Sequence, residues 1–429
     1  MWQRQINTEQ PLVLKVPLTD CPTFTALVVV AVGSKHETAR QSGLSHFLEH
    51  MFFKGTTNRP TTLAISSELD AIGGEYNAFT SKEYTGYYVK CAADQAEVAL
   101  DVLSDMLLHS QFSAEEIDRE RGVIIEEINM YEDNPMMHLE DVFERVLYGD
   151  TPAGWDTAGN KATVGAFSRE DFVNYWQSNY GRERTTICLA GRLPENVDSL
   201  VNKYFAQWPE TINFSDKVAV VENQTEPRFL VADKDTDQIH LALGVRAFPY
   251  GHHSEMPARL LASILGGSMS SRLFLQIRER QGLAYYVRTN IEKYTDTGYL
   301  VTAAGIKKDA LTQAITTIIS EYKKLTTELV GEEELERIKK FITGRLVLGL
   351  EGSDDLAQWY ARQQVMALSQ GKVQNNLDNP QEFLAKVQAV TAEEIRAVAQ
   401  EIFVNHGLNL AIIGRVDNQE ALKQQLTFN

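Results

Sequence analysis

Cysteine is scarce and scattered in this chain. Cys21, Cys91 and Cys188 are the only three, and none has a cysteine or histidine partner at CxxC or CxxH spacing. That excludes a disulfide framework and a cysteine zinc site, and it fits a reducing compartment. Basic charge is in deficit: 41 Lys and Arg stand against 58 Asp and Glu, a net charge of -17. Such a balance disfavours nucleic acid and anionic membranes as partners. No apolar run approaches the roughly 18 residues of a membrane span. The opening Met1-Trp2-Gln3-Arg4-Gln5 leads into no apolar signal core, so the expectation is a soluble cytoplasmic protein without a membrane partner. A phosphate-cradling loop is also missing. Gly73-Gly74 precedes a strand-like run, and Gly266-Gly267-Ser268 follows a helix-like one, so both read as turns.

What remains is ordinary globular material, 43% apolar and 23% charged over 429 residues, enough for two domains. Strand-like runs at Pro11 to Pro17 and Phe24 to Gly33 open the chain. Helical patterns follow near 42–54 and 62–72, then a strand pair at Glu75 to Thr80 and Glu83 to Cys91. Helices are expected near 94–109, 114–131 and 138–148, a turn-rich stretch at 149–160, a helix from Ser168, a strand at 184–191 and a helix at 195–206. The second half replays this order. A strand at 238–247 leads to helices at 255–265 and 271–281 and strands at 284–293 and 297–304. Helices at 308–325, 332–350, 353–370 and 381–402, a strand at 408–413 and a short terminal helix complete it.

The repetition has residue-level landmarks. Ser168-Arg-Glu-Asp171 opens a helix and Gly191-Arg192-Leu193 ends the next strand. Thr391-Ala-Glu-Glu394 and Gly414-Arg415-Val416 recur 223 residues later (168 to 391, 191 to 414). Both helix starts place a hydroxyl at the N-cap and an acid three later. The expected fold is therefore α+β: two homologous domains, each a mostly antiparallel mixed sheet covered on one face by helices, divided as 1–215 and 216–429. The join lies in the polar stretch Asn213 to Pro227.

Histidine is sparse too, with nine in the chain, yet two stand four apart in His46-Phe47-Leu48-Glu49-His50. On a helix these imidazoles share one side, and Glu49 falls on it as well. A chance HxxEH in such a chain is expected on the order of once in a hundred. The arrangement offers two zinc ligands and a base beside the metal's open position. A third ligand should come from another rigid element. In the segment from Ile117 to Tyr131, Ile117, Ile124, Ile128 and Tyr131 form an apolar stripe. Glu120 and Glu127 flank it, and Glu126 points the other way. An inward glutamate is costly unless paired or metal-bound, so Glu120 and Glu127 are both candidates and Glu126 reads as a surface charge. His109 and His138 lack a matching partner on their own helices, and His252-His253 reads as a surface or packing pair.

The stretches Val32-Gly33-Ser34-Lys35-His36-Glu37 and Gly43 to Thr56 resemble the pitrilysin-type metallopeptidases, the inverzincins, and most nearly the mitochondrial-processing-peptidase-like bacterial branch. The resemblance runs on through Gly73 to Ser81, Glu120 to Glu127, and Ser271-Arg272-Leu273-Phe274 through Arg278 to Tyr285. It implies one zinc ion per chain, held by His46, His50 and Glu127, with Glu49 as general base and Glu120 supporting the site. It further implies that Asn77, Ala78 and Phe79 pair with an extended substrate, and that Arg278 and Tyr285 grip the substrate and the reacting carbonyl. The expected function is a zinc endopeptidase acting on peptides or unfolded segments in an enclosed chamber. Because one chain carries both sets of residues, a homodimer with two sites is expected. The alternative, a non-catalytic structural or assembly subunit of the same family, is disfavoured by the intact metal set.

Overall fold

A computed structural model describes residues 2–5, 10–372 and 376–428. Eleven strands form two sheets among the described residues. The strands are β1 (Gln3–Gln5), β2 (Leu12–Pro17), β3 (Thr23–Val30), β4 (Glu75–Thr80), β5 (Thr85–Ala92) and β6 (Thr185–Gly191), then β7 (Arg228–Ala232), β8 (Ile239–Ala247), β9 (Ala284–Lys293), β10 (Gly298–Ile306) and β11 (Leu408–Ile413). The first sheet runs β1-β2-β6-β3-β5-β4, and the second runs β7-β11-β8-β10-β9. In each, one neighbouring pair is parallel, β2 with β6 and β7 with β11, and the others are antiparallel. Without β1 the two orders superimpose strand for strand, which is the duplication expected from the sequence.

The landmarks coincide as well. Helices Arg169–Asn179 and Ala392–Ile402 begin at the same offset, 223 residues, as do β6 and β11. Both helices carry reciprocal caps, Ser168 with Asp171 and Thr391 with Glu394.

The compact units are discontinuous in sequence. One comprises 1–128, 156–218 and 347–379, and the other comprises 129–155, 219–346 and 380–429. Each half of the chain thus sends one helix to the other half's unit, across the division at 215/216. In the first unit, helix Ser353–Ser369 packs across β3 and β6. Its opening Ser353 hydroxyl lies 2.8 Å from those of both Thr23 and Thr25. In the second unit, helix Pro135–Tyr148 packs across β8 and β11. A side chain at Gly244 of β8 would meet the Phe143 ring at 2.8 Å, so glycine there makes room for the helix.

This corrects the expectation of helices on one face only. In the first unit, Phe24, Ala26 and Val28 of β3 join the core with Phe47, Leu48 and Leu103. The alternate residue Thr25 bonds Ser353 on the other face. The unbroken run Val28-Val29-Val30 is the pattern of a strand buried on both sides. Three further differences are local. β7 is a short strand that pairs only with distant β11, so nothing near it in sequence announces it. The helix expected at 381–402 breaks into Pro380–Ala389 and Ala392–Ile402, because Thr391 starts a fresh cap. An unanticipated helix, Lys161–Ala166, is capped by Asn160. No helix among the described residues is long and apolar enough to cross a membrane.

Candidate metal centre

Helix Leu44–Met51 has two opposite faces. Leu44, Phe47, Leu48 and Met51, spaced at helical period, are all fully buried in the core of the first unit. Each contributes about 1.5–3 kcal/mol on burial, which fixes the rotation of this short helix. The other face then presents His46, Glu49 and His50 together, their ring centroids at the two histidines 4.8 Å apart.

Helix Ala114–Asp133 lies opposite. Ile117, Ile124 and Ile128 are buried, Glu120 is buried beside them, Glu127 is half-buried and Glu126 is exposed. Glu127 Oε1 stands 3.7 Å from His46 Nε2, and its Oε2 stands 3.6 Å from His50 Nε2. Glu120 instead stands behind His50, with Oε1 2.9 Å from the ring's Nδ1. Its other oxygen is 2.5 Å from Lys54 Nζ. The two acids left open by the helical pattern thus occupy different places. One faces the imidazoles and one buttresses them.

Electrostatics separates the two histidines. Burial, with the neighbouring His50, brings His46 down to about 3, so its ring is neutral at ordinary pH. Burial also pulls His50 down, but the Glu120 hydrogen bond and the charges of Glu49 and Glu127 outweigh it and hold the ring above its usual range. Glu120 is held below the carboxylate range, because hydrogen bonds from His50 and Lys54 overcome its burial. Burial raises Glu49, although the Thr80 hydroxyl donates to its Oε2 at 2.6 Å and opposes the rise.

Three donor atoms of two chemical types therefore converge: imidazole nitrogens of His46 and His50 and a carboxylate oxygen of Glu127, all within 4.8 Å of one another. Tetrahedral zinc with ligands near 2.1 Å needs donors about 3.4 Å apart, close to the 3.7 Å from His46 to one Glu127 oxygen and the 3.6 Å from His50 to the other. The donor set and spacing fit zinc.

Residues 18–161 match the pattern of Insulinase (Peptidase family M16), and residues 166–342 match the Peptidase M16 inactive domain. The chain belongs to peptidase family M16. Among its M16 relatives, an "uncharacterized zinc protease" of Bacillus subtilis is 35% identical, over 91% of this chain and 93% of that protein. One from Mycobacterium tuberculosis is 31% identical, over 93% and 90%. A protease from Helicobacter pylori shares the fold, with a TM-score of 0.87 at 22% identity, covering 97% of this chain and all of that one. The stretch of this M16 chain that matches the inactive domain, 166–342, contains no HxxEH sequence.

The remaining expected residues fall in two places. Asn77, Ala78 and Phe79 lie on β4, the terminal strand of the first sheet. Asn77 is exposed and the other two are half-exposed. Arg278 and Tyr285 lie in the second unit. Arg278 lies within a wide π-helical turn, Phe274–Arg280, and its guanidinium carbon is 5.9 Å from the Tyr285 ring centre. The Tyr285 side chain is 74% exposed. Both can donate hydrogen bonds to a peptide carbonyl. Three contacts were not anticipated: Thr80 to Glu49, Lys54 to Glu120, and Glu37 to the start of the metal-site helix. The signal for the last was present, since Gly43 leaves that helix without a side-chain cap of its own.

Proposed function

We propose that this M16 protein is a zinc endopeptidase that hydrolyses peptides or unfolded polypeptide segments, with one zinc per chain held by His46, His50 and Glu127. The observation that carries this reading is the placement of Glu49. It shares a helix face with both histidines and is hydrogen-bonded to Thr80, the last residue of edge strand β4. Bound zinc would polarise water and the scissile carbonyl. Glu49 accepts a proton from the attacking water and passes it to the leaving amine. Its raised proton affinity brings it nearer the working pH for that exchange. β4 pairs on one side with β5 and ends its sheet. An extended peptide can add to its free edge through backbone hydrogen bonds, independent of side-chain identity. The site at the strand's end then acts on the added chain.

The reading includes a homodimer that encloses a chamber with two sites, and cytoplasmic residence. The net charge of -17 supports a preference for basic peptides; equal cleavage of matched acidic and basic peptides at low salt would remove that element. The deciding experiment combines metal analysis with peptide cleavage. One zinc per chain is expected, with activity abolished by a chelator and restored by zinc. Cleavage that survives complete metal removal would sink the reading. Sedimentation tests the dimer, and a monomer at micromolar concentration with full activity would rule it out.

A further inference from the structure

Helix Leu44–Met51 is capped from outside. Its N-cap residue, Gly43, has φ +93° and no side chain. Nothing larger fits: a Cβ there would fall 2.5 Å from the carbonyl oxygen of Ala158. The usual Ser, Thr, Asp or Asn cap is therefore sterically barred, yet the first-turn amides still need acceptors. Glu37 supplies them. Its Oε2 accepts the Gly43 N–H at 2.8 Å and its Oε1 accepts the Ser45 N–H at 2.6 Å. The residue is 3% exposed. Burying a carboxylate costs free energy that only such charge-assisted bonds and the positive end of the helix offset.

The segment that bears Glu37 is itself anchored. Ser34 N–H donates to Ser81 O at 3.1 Å and Lys35 N–H to Lys82 O at 2.8 Å. A side chain on Gly33 would collide with Ser81 O at 2.1 Å, so the segment lies flush against the turn that follows β4. Thr80, immediately before that turn, bonds Glu49. The bonds close a ring: Glu49 to Thr80, the β4–β5 turn to residues 34–35, Glu37 to Gly43 and Ser45, and the helix back to Glu49.

We propose that Glu37 is a positioning residue for the metal centre, fixing the height and rotation of helix Leu44–Met51 against strand β4 so that His46, Glu49 and His50 keep their places beside the substrate strand. Its substrate aspect rests on the peptidase reading, whereas its effect on metal binding does not.

The test is a cobalt titration of the full chain, with zinc competition, on Glu37→Gln and Ser45→Pro. Glu37→Gln sets an amide N–H against a backbone N–H. Ser45→Pro removes the donor and spares the carboxylate, at a first-turn position where proline is tolerated. Both should bind metal roughly 10–100-fold more weakly, the range for supporting groups around a metal. Ser45→Ala, which keeps the N–H but loses the hydroxyl that also bonds Glu37, should weaken binding less than Ser45→Pro. In peptide cleavage at saturating zinc, Glu37→Gln should lower kcat with KM changed by less than about twofold, the pattern of a lost transition-state interaction. A folded Glu37→Gln with wild-type metal affinity and kcat overturns the proposal. If that variant does not fold, wild-type metal affinity in Ser45→Pro overturns it instead. A wild-type protein that binds metal but cleaves nothing defeats the peptidase reading alone, and the titration still decides the role of Glu37.

Discussion

Glu120 accepts from His50 across 2.9 Å, on the ring nitrogen that faces away from Glu127. The other histidine has no such support, since His46 Nδ1 is buried without a hydrogen-bond partner. The two imidazoles are therefore held differently. The His46 ring meets the His50 ring edge-on, and His50 is held by a charged chain that continues to Lys54.

On the proposed zinc reading, that difference gives Glu120 a supporting role in metal binding. Glu120→Ala should weaken zinc by about 10–100-fold while circular dichroism stays unchanged. Competition against a chromophoric chelator measures it. Affinity equal to wild type would show that His50 needs no buttress.

Glu49→Gln preserves size and removes the proposed base. The variant should retain wild-type zinc content and lose about 10²–10⁴-fold in kcat, the usual contribution of a general base. Retained turnover would move the proton transfer to another group.

The neighbours Glu126 and Glu127 provide a paired comparison. Glu127 faces both imidazoles, and Glu126 is exposed on the same helix. Glu127→Gln should purify without zinc and without activity, whereas Glu126→Gln should match wild type in both. Equal zinc loss in the two would place the third ligand elsewhere.

Glu37 gives a pH signature. Burial raises its carboxyl from the usual 4.5 to about 7, against the Ser45 and Gly43 hydrogen bonds and the Lys82 charge, with the Tyr175 hydroxyl beyond Ser45. Between these values the folded chain binds the proton more tightly than the unfolded chain. Its stabilising contribution is complete below pH 4.5 and is lost as pH rises through 7. The slope is about 1.4 kcal/mol per pH unit inside that window. Urea denaturation at several pH values should show a flatter profile for Glu37→Gln than for wild type between those limits. Identical slopes would mean that the carboxyl is not perturbed.

The parts of this molecule that sequence conveys are those decided within a few residues. His46, Glu49 and His50 share a face because helical geometry dictates it. Ser168 and Thr391 announce helix starts because their caps close locally. Glu120 and Glu127 were separable from Glu126 by helical phase, but not from each other, since which one faces a metal depends on the docking of a second helix. Thr80 and Lys54 carry no local sign of their partners, because those meet only when strand and helices assemble. β7 and the placement of helices Pro135–Tyr148 and Ser353–Ser369 stayed hidden for the same reason: their partners are far along the chain. The valine run of β3 did carry a hint of its second covered face.

The position of helix Ser353–Ser369 has a consequence in time. The first unit needs it to cover β3 and β6, yet it begins 135 residues (218 to 353) after that unit's preceding segment ends at Val218. At the usual 5–20 residues per second of synthesis, the ribosome takes roughly 7–27 s to reach it. Throughout that interval the segment carrying His46, His50 and Glu127 is made, but the helix that covers one face of its sheet is not. Completion of the first unit is thereby tied to synthesis of residues 353–369, and a transcript truncated before residue 353 would yield an unfinished first unit even though His46, His50 and Glu127 had already been translated.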